Sequence, residues 1–183
     1  MTTVLGIDPG SRVTGYGVLR IENARPRFLD CGCIRATEPE VHQRLGGIYE
    51  SLRMLLDQHR PDVVAIESVF VHRNVQSALK LGQARGASLA AVAAAGCAFN
   101  EYSPAEIKQA VVGRGAADKR QVQYMVRRLL VLPGAPGADA ADALAVALCH
   151  VFRMAGQRLG RVDRGQAGSG HRGAGPVSLD EPA

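Results

Sequence analysis

Apolar positions along the chain change period several times, and each change predicts an element. Residues 3–8 (Thr-Val-Leu-Gly-Ile-Asp) form an apolar run closed by an acid, the pattern of a buried strand. Stretches 14–21 and 27–35 are β-type and separated by polar residues at Glu22-Asn23, so the chain should open with a three-stranded meander. Leu45, Ile48, Leu52, Leu55 and Leu56 recur at helical spacing until Pro61-Asp62 stops them. Val63-Val-Ala-Ile-Glu67 then repeats the pattern of a buried strand ending on an acid. A long helix is predicted over about 74–95. Along it Ala78, Gly82, Gly86, Ala90 and Ala94 fall every fourth residue, a stripe that admits another backbone, either a second copy or the chain's own sheet.

Residues 97–102 predict a further strand, and Ser103-Pro-Ala-Glu106 is a capping box with Pro at the first helical position. Gly113-Arg-Gly115 breaks that helix; Val122, Met125, Val126, Leu129 and Leu130 mark the next. After a Pro/Gly turn at 133–137, a last helix is predicted from Ala138 to about Met154, with Leu144, Leu148 and Val151 on its apolar face. The order βββ-α-β-α-β-α describes an α/β protein: a mixed sheet flanked by helices, antiparallel in the meander and parallel at the crossovers. No internal repeat interrupts it.

Composition narrows this picture. A chain of 183 residues, 46% hydrophobic, suits one core, expected over 1–155, plus a tail. Residues 156–183 hold seven glycines and little periodicity, so a disordered Gly-rich tail is expected there. The longest apolar candidate, 87–99, is too short to span a bilayer, and the N-terminus carries neither basic region nor cleavage site. No membrane association and a cytoplasmic location are expected. Cys31-Gly-Cys33 is too tight for the usual zinc spacing; Cys97 and Cys149 lie in apolar segments and suit small core positions, so all four cysteines are expected as reduced structural thiols. A net charge of +5 and pI near 9.3 permit nucleic-acid binding without establishing it. The tail holds four Arg against three acids, so most of the positive charge belongs to the body.

Candidate chemistry lies in four acids. Asp8 and Glu67 end buried strands, where an unpaired charge costs several kcal/mol. Parallel strands put their C-terminal ends on one rim of a sheet. Asp139 and Asp142, spaced i, i+3, share a face of the last helix. Four carboxylates converging from two strands and a helix suit a hard divalent cation such as Mg²⁺ and phosphodiester hydrolysis. Each also has a plain alternative: a turn former for Asp8 before Pro9-Gly10, a strand cap for Glu67, a helix cap for Asp139. Asp142, among Ala and Leu, is harder to explain away.

Four motifs in order carry a resemblance. Residues 6–18 (Gly-Ile-Asp-Pro-Gly-Ser-Arg-Val-Thr-Gly-Tyr-Gly-Val) resemble the opening motif of the RuvC resolvases. Residues 65–70 (Ala-Ile-Glu-Ser-Val-Phe) resemble the second motif, 77–86 the central helix and 139–145 (Asp-Ala-Ala-Asp-Ala-Leu-Ala) the closing acidic helix. The resemblance implies a ribonuclease-H-like fold and a homodimer that cuts four-way junction DNA by paired symmetric nicks. It implies Mg²⁺, two ions per active site, with Mn²⁺ able to substitute, and the RuvA–RuvB branch-migration complex as partner. It puts the catalytic, metal-holding acids on Asp8, Glu67, Asp139 and Asp142, active-site lysines on Lys108 and Lys119, and the base-stacking aromatic on Phe70. Beside it, Lys108, Arg114, Lys119 and Arg120 cluster around a Gly-flanked loop suited to phosphates, and Arg73 and Asn74 are candidates for reaching the DNA backbone. Three rivals remain: an actin-type ATPase, for which the chain is too short; a non-catalytic junction-binding module; and a related ribonuclease-H-like nuclease on another substrate, such as RNA.

Overall fold

The structure is a computed structural model that describes residues 1–68 and 75–166, with side chains described as far as residue 156. Its strands are β1 (Thr2–Asp8), β2 (Val13–Glu22), β3 (Arg25–Arg35), β4 (Val63–Glu67) and β5 (Ala98–Tyr102). Its helices are α1 (Val41–His59), α2 (Val75–Ala94), α3 (Pro104–Val112), α4 (Lys119–Leu129) and α5 (Ala138–Gln166). The strands form one sheet in the order β3-β2-β1-β4-β5. The meander is antiparallel, and β1–β4 and β4–β5 are parallel, as the alternation of strands and crossover helices predicts.

Strand alternation divides the core in two. Leu5, Ile7, Val18, Ile34, Val64 and Ile66 face one side, where they pack against α1 and α2. Val4, Leu19, Val63, Ala65 and Tyr102 face the other and pack against α3, α4 and α5. Helix α5 is the central element of that second layer: Ala143 to Cys149 are all buried, at 1% exposure or less. It lies unusually close to the sheet because the strands beneath it carry glycine. A Cβ on Gly6 would stand 2.2 Å from the Ala143 carbonyl oxygen, and one on Gly15 2.1 Å from that of Asp139. Only hydrogen in place of a side chain leaves room for the helix backbone there.

The structure bears on two expectations. The apolar face of α5 fades after Val151, yet the helix continues past Met154 to Gln166, so the segment from 156 does not begin as irregular chain. Periodicity predicts a helix only as far as its apolar face repeats, here to about Val151. The remainder of the expected disordered tail, 167–183, lies outside the described residues. The small-residue stripe of α2 does not pack on its own sheet. The helix buries Ala84, Ser88, Ala91 and Val92, and leaves Gly82, Gly86, Ala90 and Ala94 exposed. A Cβ on Gly82 or Gly86 would meet nothing within 4 Å.

Candidate active site

Asp8 and Glu67 reach the same place for the same reason. Each is the last residue of its strand and falls, by alternation, on the face covered by α5. Strands β1 and β4 are parallel neighbours, so their last residues lie side by side at one rim. Asp139 occupies the first turn of α5, where a carboxylate is favoured by the helix dipole, and sits over Gly15 at the same rim. Asp142 follows one turn later. The helix cap considered for Asp139 is not what the structure shows, since α5 already begins at Ala138.

Crowding is legible in the electrostatics. Burial, then the Glu67, Asp142 and Asp139 charges, push the Asp8 carboxyl up to about 8. Asp8 and Glu67 are joined by a side-chain hydrogen bond in which the Asp8 carboxyl holds the proton. Glu67 is also raised, chiefly by burial, against the hydrogen bond from Asp8 and the positive charges of Lys108 and Lys119. Two capping boxes set those lysines. Ser103 and Glu106 start α3, which carries Lys108 one turn later; Asp118 and Gln121 start α4 at Lys119. Lys119 Nζ meets Asp142 Oδ2 at 2.6 Å, and this contact raises the lysine's pKa. Glu67, Lys108, Lys119 and Asp142, with Ile107 and Val122, line a cavity of about 280 Å³.

Among the described residues no three His, Cys, Asp or Glu side chains stand together as a ready-made metal-ligand set. The donors present nevertheless suit a divalent cation. They are hard carboxylate oxygens held at one rim, where burial first and the neighbouring acids second disfavour the charged form of Asp8. A cation there would replace the proton shared with Glu67 and compete with Lys119 for Asp142.

The other sequence candidates divide. Arg114 and Arg120 are exposed on the loop and the first turn of α4, outside the cavity lining. Phe70, Arg73 and Asn74 lie outside the described residues. The Gly15-Tyr-Gly17 segment lies under α5: a Cβ on Gly17 would be 2.7 Å from Leu144. Sequence reasoning passed over a buried pair, Tyr102 and His150, whose Oη and Nδ1 are 2.7 Å apart. It ties the end of β5, one residue before the cap of α3, to α5; a Tyr and a His 48 residues apart carry no pattern to reveal it.

An acid-bearing rim on this mixed sheet, flanked by helices on both faces, defines a ribonuclease-H-like nuclease. A family model described as crossover junction endodeoxyribonuclease RuvC matches residues 4–150, and the chain belongs to that family. The RuvC of Marinobacter nauticus is 55% identical over 161 residues, 85% of this chain and 92% of the relative. That of Tolumonas auensis is 52% identical over 163 residues, 86% and 94% of the two chains. Among solved structures, Thermus thermophilus RuvC in complex with Holliday junction substrate has a TM-score of 0.79 at 38% identity, covering 87% of this chain and 97% of that one. The yeast mitochondrial Holliday junction resolvase, 14% identical with a TM-score of 0.67, shares the fold. Use of a divalent metal goes with membership of this nuclease family.

Proposed function

We propose that this protein is a crossover junction endodeoxyribonuclease that resolves Holliday junctions by paired symmetric nicks in recombination and repair. The observation that carries the reading is the convergence of Asp8, Glu67, Asp139 and Asp142 at one rim, beside Lys108 and Lys119, in a chain of this family. The four acids are the metal-holding catalytic residues of this reading. Mg²⁺, two ions per site with Mn²⁺ as a substitute, would supply an activated water and neutralise charge on the scissile phosphate. The protein's own groups do the rest. Glu67 and Asp142 line the cavity in this reading, together with apolar Ile107 and Val122, so its charged edge is where the scissile phosphate would lie. Lys108 and Lys119 face that space and offset negative charge that grows as the phosphodiester is attacked. Lys119 and its partner Asp142 line the same cavity, so a cation that took the carboxylate would leave the ammonium beside the phosphate.

A junction close to two-fold symmetry needs two cuts, so the working unit is a homodimer. Its surface in this reading is the exposed stripe of α2, continued by exposed Val75 and Leu79. Phe70, Arg73 and Asn74, just before that helix, would then meet the crossover point, and Arg114 and Arg120 the neighbouring backbone. The RuvA–RuvB complex is the expected partner. No described helix is long and apolar enough to cross a membrane, which fits work on chromosomal DNA in the cytoplasm. The deciding experiment incubates the protein with a mobile four-way junction and Mg²⁺. Paired nicks at symmetric positions on opposed strands are expected; cutting of linear duplex or RNA at equal rates, or binding without cutting, would overturn the assignment.

A further inference from the structure

A second charged feature lies on the other face of the same rim. A groove of about 650 Å³ runs between the β1–β2 loop, the end of β3, the start of α1 and the side of α2. Four cations line it, Arg12, Arg35, Arg44 and Lys80, against one carboxylate, Glu38. Arg12, Arg35 and Lys80 are exposed, and among the described residues none of the four pairs with a carboxylate. Arg44 instead donates to the backbone oxygens of Glu38 and Pro39 at 2.9 and 2.6 Å, which fixes the strap that forms one wall. Ala36 N donates to Arg12 O at 2.9 Å and ties that strap to the β1–β2 loop. The adjoining end of α1 holds no acid in its first turn, and its N-cap residue, Glu40, brings a carboxylate that makes no side-chain cap.

Arg44 has a folding role in holding the strap, but Arg12, Arg35 and Lys80, exposed on three other elements and without a carboxylate partner among the described residues, have none that explains their gathering. The groove's position supplies one. Arg12 is four residues beyond Asp8, at the other end of one short loop. Arg35 ends β3, two strands from β1 in the sheet, roughly 10 Å across at the usual strand spacing. A backbone whose scissile phosphate reaches Asp8 therefore has this groove next to it along the rim.

We infer that the groove of Arg12, Arg35, Arg44 and Lys80 is a second DNA-backbone site, which takes the phosphates of a junction arm beyond the cut and so holds the arm against the rim. The inference rests on the junction-resolvase reading of the acid site and adds to it where the uncut part of the arm is held. Phosphate contacts give affinity and register without reading sequence.

The test measures junction binding without divalent cation, as a function of salt, for the full chain and for Arg35→Ala, Lys80→Ala and the double variant. Both side chains are exposed and neither forms a salt bridge among the described residues, and circular dichroism checks that the variants fold. Each lost phosphate contact lowers the slope of log K against log salt by about 0.9, so the double variant should lose nearly 2 in slope and bind more weakly at low salt. Arg35→Lys should keep most of the slope. Unchanged affinity and slope in the folded double variant would overturn the groove proposal, and would leave the surface to some acidic protein instead. If the unsubstituted protein shows no preference for a four-way junction over linear duplex, the junction reading itself fails, a result separable from the first.

Discussion

At the residue scale the acids and lysines make opposing demands, and those demands can be measured. Asp8 keeps its proton up to about pH 8 in the folded chain but loses it near the ordinary 3.8 when unfolded. The folded state thus binds the extra proton between these values, and stability falls as pH rises from about 4 to 8. In chelator, Asp8→Asn should therefore melt higher than the native chain at pH 8, by about 1 kcal/mol or more, some 2–4 °C for a chain of this size. The gap should narrow as pH falls toward 5. Added Mg²⁺ should raise the melting temperature of the native chain and leave the variant's nearly unmoved. A variant that melts lower than native at every pH would mean that Asp8 is compensated by something other than the shared proton. For Lys119→Ala, loss of a charge facing the phosphate should lower the cleavage rate on the order of 10²-fold, with a smaller loss of binding. Equal losses in rate and affinity in single-turnover assays would assign it to docking. The four acids stood out in the sequence by their places at strand ends and on the last helix, and the family motifs drew them into one set. Their pairing did not: which acid keeps the proton and which meets Lys119 depends on the meeting of β1, β4, α4 and α5, and no local pattern encodes it.

At the element scale, glycines separate what the sequence could not. Both Gly15 and the α2 glycines stand in motifs, and spacing alone left α2's stripe open to either a second copy or its own sheet. The structure distinguishes them by what a side chain would strike. At Gly15 a Cβ would be 2.1 Å from the Asp139 carbonyl oxygen, which must shift if alanine is placed there. Gly15→Ala should therefore push the first turn of α5 away from the sheet, lower stability by about 1–3 kcal/mol, and reduce cleavage further than the stability loss explains, because Asp139 moves with the backbone. A thermal melt beside a rate at a temperature where the variant is fully folded tests both parts; an active, unshifted variant would remove the close approach from the explanation. At Gly82 and Gly86 a side chain meets open space, so Gly82→Leu or Gly86→Leu should fold at least as stably as the parent, helped by up to about 1 kcal/mol of helix propensity. Sedimentation should nonetheless show monomers, since the added volume keeps two copies of α2 apart. A variant that stays dimeric would move the interface elsewhere. Strand and helix identities were legible because period 2 and period 3.6 differ strongly in this chain. The extension of α5 to Gln166 was not, since its apolar face ends near Val151 while the backbone stays helical. The basic groove was equally hidden: Arg12, Arg35, Arg44 and Lys80 come from loop, strand and two helices, and only the sheet order gathers them.

For the whole molecule the question is whether two acid sites act as one device. Each chain has one set of acids, while resolution without loose ends takes two nicks at matching positions. If two chains pair through α2 about a two-fold axis, the sites are held at a fixed separation, and the second nick follows the first within one bound complex. Mixing native protein with Asp8→Asn tests this directly, because Asp8 lies away from the α2 stripe and its substitution should leave pairing intact. After subunits exchange at equal ratio, about half of the dimers are hybrids with one working site. On a supercoiled plasmid with an extruded cruciform, a native dimer should give linear product, a hybrid a nicked circle, and an Asp8→Asn dimer none. Nicked circles should rise as the substituted chain is titrated in, then fall when few native chains remain, and linear product should fall faster than the native fraction, roughly as its square. Linear product that declines only in proportion to the native chain would mean that each copy cuts independently. The two-fold arrangement would then be set by the DNA alone, and the exposed glycines of α2 would need another explanation.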